Sequence, residues 1–435
     1  MKPTDIRRHK KIVLKRYALY YKPMEILTYG CAVNQSDSEI IHALLRNAGL
    51  EGKDYIVVNT CTVKTPTENK IIKKLKSLEE KGKTVIVAGC LPKARPEIAG
   101  DFQNFSFIGT NVQDIAEAVH SAVKGERYVN IGSASEKLNL PCDRVNKAIG
   151  IVQVSEGCLG ACSYCQTKHA RGDLTSYEVN EVVASVKRHL ADGTKEIWLT
   201  SQDMGAYGKD IGESLTELIN AVASIEGEYR VRVGMMNPGQ LMGQLDELVD
   251  AYSNEKIYKF AHIPVQSGDN CVLKDMRRGY SVEEYMDVIE CFKKIEATIS
   301  TDLIVGYPTE DENALQNTLA LIEEVKPDIV NITRFWQRPN TAASKLKQLP
   351  GRETKRRSRM LSSLFERVGL EKNKKWIGWS GRCLISSENQ DGSLTCRNDF
   401  YKPIIIKHGK VGEWINAKVK SATYYDLRGD ACSLP

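Results

Sequence analysis

Residues 54–61 read DYIVVNTC, a short β-branched run that stops on a cysteine. Ile56, Val57 and Val58 in succession are the composition of a buried strand rather than of a half-exposed one. The same arrangement stands on either side, as MEILTYGC at 24–31 and TVIVAGC at 84–90. Between the first two runs, SDSEIIHALLRNAG offers a capping residue, a helical face of Ile40, Ile41, Leu44 and Leu45, and a terminal glycine. A second helix is predicted from Pro66 to Glu80. Short apolar strands alternating with helices imply βαβ units and a parallel sheet, which predicts an α/β domain over 22–130.

The cysteines share one place in that pattern. Cys31, Cys61 and Cys90 recur at about thirty-residue intervals, the length of one strand–helix unit. Each follows the last apolar residue of its strand, and parallel strands bring their carboxyl ends to one edge, where open α/β sheets bind ligands. A single such cysteine would read as a small core residue. Three in equivalent positions favour metal ligation.

Outward from this domain, residues 144–371 carry six further strand candidates: AIGIVQVS, EIWLTS, YRVRVGMM, KFAHIPV, ISTDLIVG and DIVNITRF. Helical patterns such as SYEVNEVVASVKRHLADG and SVEEYMDVIECFKKIEA separate them. The repeat predicts a partial (β/α)6 barrel, with chemistry on the rim formed by the strand ends. Polar residues stand at those ends, among them Gln202 and Asp203, Asn237, His262, Gln266 and Ser267. The charged helix GRETKRRSRMLSSLFERVGLEKNKK then leads to short, turn-bounded β runs over 372–435, which predict a small β-barrel. There Lys402, Lys407, Lys410, Lys418 and Lys420 alternate with Tyr401, His408 and Trp414. Cations interleaved with stacking faces suit RNA; a lysine-coated ordinary domain is the plainer reading.

Composition sets the outer bounds. A chain of 435 residues, 42% hydrophobic and 27% charged, has the makeup of a soluble protein of two or three domains. No apolar run approaches the roughly 18 residues of a membrane span, and the basic N-terminus lacks the apolar core of a secretory signal. The cytoplasm is therefore expected, with the 12 cysteines reduced and available to metal. The net charge of +6 is unevenly spread, with clusters at Arg7–Arg8–His9–Lys10–Lys11 and at Lys355–Arg356–Arg357 flanked by Arg352 and Arg359. Such clusters fit either a solvated surface or a polyanionic partner.

The densest motif is CLGACSYC at 158–165, immediately after the first barrel strand. Cys158, Cys162 and Cys165 form C-x3-C-x2-C, with Gly157 and Gly160 relaxing the loop, and can wrap one iron–sulfur cluster. Zinc is the competing metal, but zinc sites use paired CxxC units or added histidines, and His169 has no partner at that spacing. Three thiolates leave the fourth iron of a cubane open. Cys142, Cys271, Cys291, Cys383, Cys396 and Cys432 share no ligand spacing with either trio. Cys271 and Cys291 fall in helical patterns and are expected to pack; Cys383 and Cys396 are candidates for neighbours in the tail.

EGCLGACSYCQTKHARG resembles the radical S-adenosylmethionine signature, including the aromatic Tyr164 before the last cysteine. With TYGCAVNQSDSE, VVNTCTV and VAGCLPK in the first domain, LTSQDMGAYG, HIPVQSG, MRRGYS and TDLIVGYPTE in the second, and a TRAM-type tail, the resemblance covers nearly the whole chain. It narrows to the methylthiotransferases, and TKHARG with EIWLTSQDMGAYGKDIG is most similar to the archaeal and eukaryotic branch acting on N6-threonylcarbamoyladenosine in tRNA. That resemblance implies two [4Fe–4S] clusters, on Cys31, Cys61 and Cys90 and on Cys158, Cys162 and Cys165. The open iron of the second chelates S-adenosylmethionine, whose reductive cleavage yields a 5′-deoxyadenosyl radical. The first carries sulfide that one S-adenosylmethionine methylates, and a second supplies the radical that opens C2–H of the adenine. The two cluster edges are then expected to line one cavity. Tyr164, Gln202, Gln266, Ser267, Arg277 and Arg278 are implied cofactor contacts. A flavodoxin- or ferredoxin-like electron donor and a sulfur donor are implied partners, with tRNA and no membrane. The alternatives are isopentenyladenosine in tRNA, a ribosomal protein side chain or, in another class, a non-catalytic iron–sulfur RNA-binding or electron-carrier protein.

Overall fold

A computed structural model describes residues 24–132 and 136–432, so the basic cluster at residues 7–11 lies outside the described residues. The chain divides into two compact units, one reaching to Val145 and including His169–Arg171, the other holding the remainder.

The first unit is built on five parallel strands in sequential order: β1 Glu25–Thr28, β2 Ile56–Thr60, β3 Val85–Gly89, β4 Ser106–Ile108 and β5 Val129–Asn130. Helices α1 Ala32–Asn47, α2 Thr65–Glu79, the short α3 Cys90–Ala94 and α4 Ile98–Asp101, and α5 Ile115–Val123 connect them. Alternate strand residues point to opposite faces. Ile26, Val57 and Ile86 therefore pack under Ile40, Ile41 and Leu45 of α1, while Leu27, Val58 and Val87 pack under Ile71, Leu75 and Leu78 of α2.

The strands stand where the apolar runs predict them, but α1 starts earlier than its SDSE cap would place it. It begins at Ala32 with Cys31 as its N-cap. The polar residues at its head face neighbouring strands instead of capping. Ser38 Oγ accepts from Thr28 Oγ1 at 2.7 Å and from Asn59 Nδ2 at 2.8 Å, and Asn34 Nδ2 donates to the Thr60 carbonyl at 2.9 Å.

The second unit opens with β6 Ile149–Gln153, the two-residue pair β7 Ser155–Glu156 and β8 Thr175–Ser176, and between them α6 Thr167–Arg171, whose last three residues group with the first unit. Next come α7 Val179–Ala191, β9 Glu196–Thr200, α8 Leu215–Ala223, β10 Arg230–Val233, α9 Leu245–Ala251 and β11 Phe260–His262. Then follow α10 Asn270–Asp275, α11 Val282–Lys294, β12 Thr298–Val305, α12 Glu312–Val325 and β13 Ile329–Arg334. The barrel strands run β6–β9–β10 and β11–β12–β13, all parallel, and parallel bridges at Val231–Ile257 and Met235–His262 join the two sets. This is the predicted six-stranded partial barrel.

The long helix α13 Gly351–Lys374 leads to a closed five-stranded barrel in the order β14–β15–β16–β18–β17. Its strands are β14 Ser380–Glu388, β15 Leu394–Arg397, β16 Pro403–Ile406, β17 Trp414–Ala422 and β18 Leu427–Cys432. It docks on the larger barrel: Tyr401 packs on Tyr258 and Phe260, and Ser386 Oγ donates to Glu196 at 2.6 Å. Closure removes the open edges that five short strands would otherwise present.

Two expectations about cysteines separate here. Cys383 and Cys396 are buried in the small barrel as free thiols, and the neighbouring Cys396 thiol, with burial, holds the Cys383 thiol far up. Cys271 lies on α10 as expected but is exposed, so it is not a packing residue. The reason is α10's brevity: its buried residues are Val272 and Leu273 alone. Among the described residues, no helix is long and apolar enough to cross a membrane.

Candidate active site: two thiol trios

In the first unit the three strand ends bring Cys31, Cys61 and Cys90 to one edge of the sheet. Burial pushes the Cys61 thiol up to about 12, and its neighbours Cys90 and Cys31 push in the same direction, as thiols sharing a site must. Burial likewise raises Cys90, opposed by the Arg171 guanidinium. The backbone here requires glycine. Gly89 has φ +93°, and a Cβ on it would lie 2.4 Å from Asn59 Oδ1 and 2.7 Å from the Thr60 carbonyl oxygen. Any larger residue would force β3 from β2 immediately before Cys90.

Charge is buried against this trio. Asp37 of α1 takes Lys137 Nζ at 2.9 Å and Arg171 Nη2 at 2.7 Å, and all three side chains are 1% exposed. Arg171 Nε donates to Cys90 Sγ at 3.3 Å, and Ala170 packs with Cys90 and Ala94.

In the second unit the loop after β6 holds Cys158, Cys162 and Cys165. Gly157 has φ +75°, and a Cβ there would stand 1.8 Å from the Asp173 carbonyl oxygen, so the turn into Cys158 admits no other residue. The loop is pinned at Ser163: its N–H donates to the Met276 carbonyl at 3.0 Å, and its hydroxyl donates to the Asp275 carbonyl at 2.9 Å. Burial pushes Cys158 up to about 11, with Asp203, Cys162 and Cys165 adding to it; the Gly160 N–H works against the rise. Such thiols lose their protons when they ligate metal.

Around this loop the rim residues sort themselves. Arg278 is buried, with Nε donating to Tyr280 Oη at 2.9 Å and Nη1 to Cys162 Sγ at 3.2 Å and Tyr164 Oη at 3.4 Å. Tyr164 packs against Val272, Met276 and Tyr307, and burial holds its hydroxyl well above the usual range. Gln266 takes a left-handed φ of +71°, held by Gln266 N–H to the Asp302 carbonyl and Ile304 N–H to its own carbonyl, each at 2.9 Å. Strain retained this way is characteristic of functional sites. Ser267 is buried beside it, its Oγ accepting from the Asp269 N–H at 3.3 Å. The MRRG pair divides: Arg278 turns to the thiols, whereas Arg277, left-handed at φ +57° where α10 ends, is exposed.

The tail lysines divide as well. Lys402 is not an RNA-facing residue: its side chain is 4% exposed, and its Nζ donates to Asp328 Oδ1 at 2.7 Å and Asn373 Oδ1 at 3.0 Å. It ties the small barrel to Asp328, just before β13, and to α13. Lys407, Lys410, Lys418 and Lys420 are exposed. Asp430, pulled down mainly by Lys420 with which it pairs, also feels Lys407 and His408, so part of this set crowds one rim.

Comparison with known proteins finds a family model over each of the two regions that carry these cysteines. The Radical SAM superfamily model matches residues 152–322, and the model of an uncharacterized protein family, UPF0004, matches residues 23–108. A probable threonylcarbamoyladenosine tRNA methylthiotransferase of Archaeoglobus fulgidus is 43% identical, covering 93% of this chain and 97% of that one. The threonylcarbamoyladenosine tRNA methylthiotransferase of Homo sapiens is 34% identical over 94% of this chain and 74% of its own. This chain belongs to the threonylcarbamoyladenosine tRNA methylthiotransferase family. Among solved structures, the radical S-adenosylmethionine methyltransferase TsrM of Kitasatospora setae, with cobalamin and a [4Fe-4S] cluster bound, shares the fold at a TM-score of 0.52. It is 13% identical and covers 72% of this chain and 71% of its own.

The donor set of this radical S-adenosylmethionine enzyme fits the cofactors of its superfamily. Among the described residues, no three His, Cys, Asp or Glu side chains gather tightly enough to hold one metal ion. A cubane distributes its thiolates over separate irons, so its ligands need not converge on one ion. Arg278 Nη2, beside the C-x3-C-x2-C loop, and Gln202 Oε1 are buried with no hydrogen-bond partner. The polar residues packed at the two trios that the sequence reading passed over are Asp37, Arg171 and Tyr280. The signal for Asp37 was available in NQSDSE, a polar run on a helix whose residues Val33 to Ala43 are all buried.

Proposed function

We propose that this enzyme adds a methylthio group to C2 of N6-threonylcarbamoyladenosine in tRNA. It would use two [4Fe–4S] clusters, one on each trio, and two molecules of S-adenosylmethionine per turnover. The observation that carries this reading is that three cysteines some thirty residues apart meet at one edge of a sheet, in a chain that also holds a C-x3-C-x2-C loop. A methylthio transfer needs a sulfur carrier as well as a radical source, and a second open-iron cluster supplies the first. When bound, the cluster and S-adenosylmethionine on the Cys158 loop supply the radical chemistry that an unreactive C–H bond demands.

The chain's own side chains have the remaining roles. Arg278 Nη2 offers an N–H to the carboxylate of S-adenosylmethionine, and Gln202 Oε1 accepts from its ammonium group. Gln266 and Ser267 shape the adjacent floor, and Tyr164 closes the apolar side. Lys407, Lys410, Lys418 and Lys420 meet the tRNA backbone, where phosphate contacts dominate affinity. A flavodoxin- or ferredoxin-like protein delivers electrons, a separate donor supplies sulfur, and the reaction takes place in the cytoplasm.

The test is mass spectrometry of tRNA nucleosides from a host lacking the gene and from the same host with it restored. The methylthio form of threonylcarbamoyladenosine should vanish and return. A change in an isopentenyladenosine derivative instead, or unaltered tRNA with a ribosomal protein losing the mass of a methylthio group, would overturn the substrate assignment.

A further inference from the structure

Burial alone makes the ion group Lys137–Asp37–Arg171 weak evidence of a purely stabilising role, because buried ion pairs are often replaceable by apolar packing without loss. Its geometry suggests another role. Asp37 grips the Arg171 guanidinium at Nη2 at 2.7 Å, and Lys137 fixes the other carboxylate oxygen at 2.9 Å. The planar fork of a guanidinium so held cannot swing freely, which directs its Nε–H at Cys90 Sγ, 3.3 Å away. The reduction potential of an iron–sulfur cluster is governed by net charge, by hydrogen bonds to its sulfurs and by burial. A cation donating to a ligand sulfur withdraws electron density and favours the reduced cluster; a carboxylate behind it acts in the opposite direction.

We propose that Arg171, held in place by Asp37, is a positioning residue that raises the reduction potential of a cluster on Cys31, Cys61 and Cys90. The proposal rests on the two-cluster reading above. In that reading a more positive potential makes this cluster a better one-electron acceptor.

The experiment uses full-length protein with Cys158, Cys162 and Cys165 all replaced by alanine, so that only the first cluster is present. The midpoint potential is read by anaerobic redox titration with electron paramagnetic resonance, beside the iron content. Arg171→Met should shift the potential in the negative direction by about tenfold in the reduction equilibrium, about 59 mV for one electron. Arg171→Lys should restore part of the shift, and Asp37→Asn, nearly isosteric, should move the potential in the positive direction. Opposite signs are the signature of charge, since simple loosening of the site would move both variants the same way. Unchanged potentials, or shifts of one sign, in proteins that hold about four irons would overturn the role of Arg171. If Arg171→Met fails to load iron, the signs from Arg171→Lys and Asp37→Asn decide. If the alanine background itself binds no iron, the two-cluster reading fails instead.

Discussion

Replacing Lys402 with methionine separates a structural lysine from an RNA-binding one. The ammonium leaves two buried acceptors when it goes, Asp328 Oδ1 at 2.7 Å and Asn373 Oδ1 at 3.0 Å. Asp328 retains Lys372 at 2.7 Å and the Ile299 N–H at 3.0 Å, so its charge is not stranded. Breaking a buried pair costs about 3–5 kcal/mol, and the surviving partner sets the expectation at the lower end, about 3 kcal/mol. For so large a unit, at about 2.1 cal/mol/K of unfolding entropy per residue, that corresponds to a Tm roughly 5 °C lower. The deficit carries a pH signature. Burial raises the Asp328 carboxyl, but Lys402 and Lys372 together outweigh it and hold it below its usual 3.8. A carboxyl depressed in the folded state contributes its full stability above the unfolded pKa and loses it as pH falls through the folded one. The gap between wild type and K402M should therefore narrow in acid. The assay is thermal unfolding of the two proteins across pH, together with tRNA binding of the folded variant, which should stay within about twofold of wild type. A variant that melts with wild type but binds tRNA weakly with a shallower salt dependence would refute this account and return Lys402 to the RNA surface.

Other outcomes follow from the same geometry. Alanine at Lys407, Lys410 and Lys418 together should reduce the slope of log affinity for tRNA against log salt by roughly 2–3, with little change in Tm; an unaltered slope would remove these lysines from the interface. Alanine at Cys31, Cys61 and Cys90 should lower reconstituted iron from about eight to about four per chain, measured by colorimetric iron assay; retention of eight would exclude them as ligands. Arg278→Met should weaken S-adenosylmethionine binding about 10- to 150-fold, the worth of a charged hydrogen bond, read as loss of the ligand-induced change in the resonance of the reduced cluster. In iron-free protein at pH 8, iodoacetamide should label the exposed Cys31 and Cys271 well before Cys61. Burial pushes Cys61 up to about 12, so its reactive thiolate is scarce at pH 8 and becomes more abundant as pH rises. Peptide mass spectrometry giving equal rates would contradict its burial.

The linear order of residues was enough for the strands, the six-fold barrel repeat and the closed β tail, because periodicity and turn chemistry are local. It also sorted six cysteines into two groups, since C-x3-C-x2-C is contiguous and Cys31, Cys61 and Cys90 repeat at the interval of a strand–helix unit. Where one residue's role depends on what a distant segment places against it, sequence was silent. Lys402 reads like its neighbours in an alternating basic tail, yet Asp328, 74 positions away, takes its charge inside. MRRG contains two arginines of equal promise, and only the left-handed turn at Arg277 sends one outward and the other onto Cys162. Arg171 and Asp37, 134 positions apart, acquire meaning only as a pair. Local pattern determines which elements form; burial and charge pairing, properties of contacts between remote segments, depend on the tertiary fold.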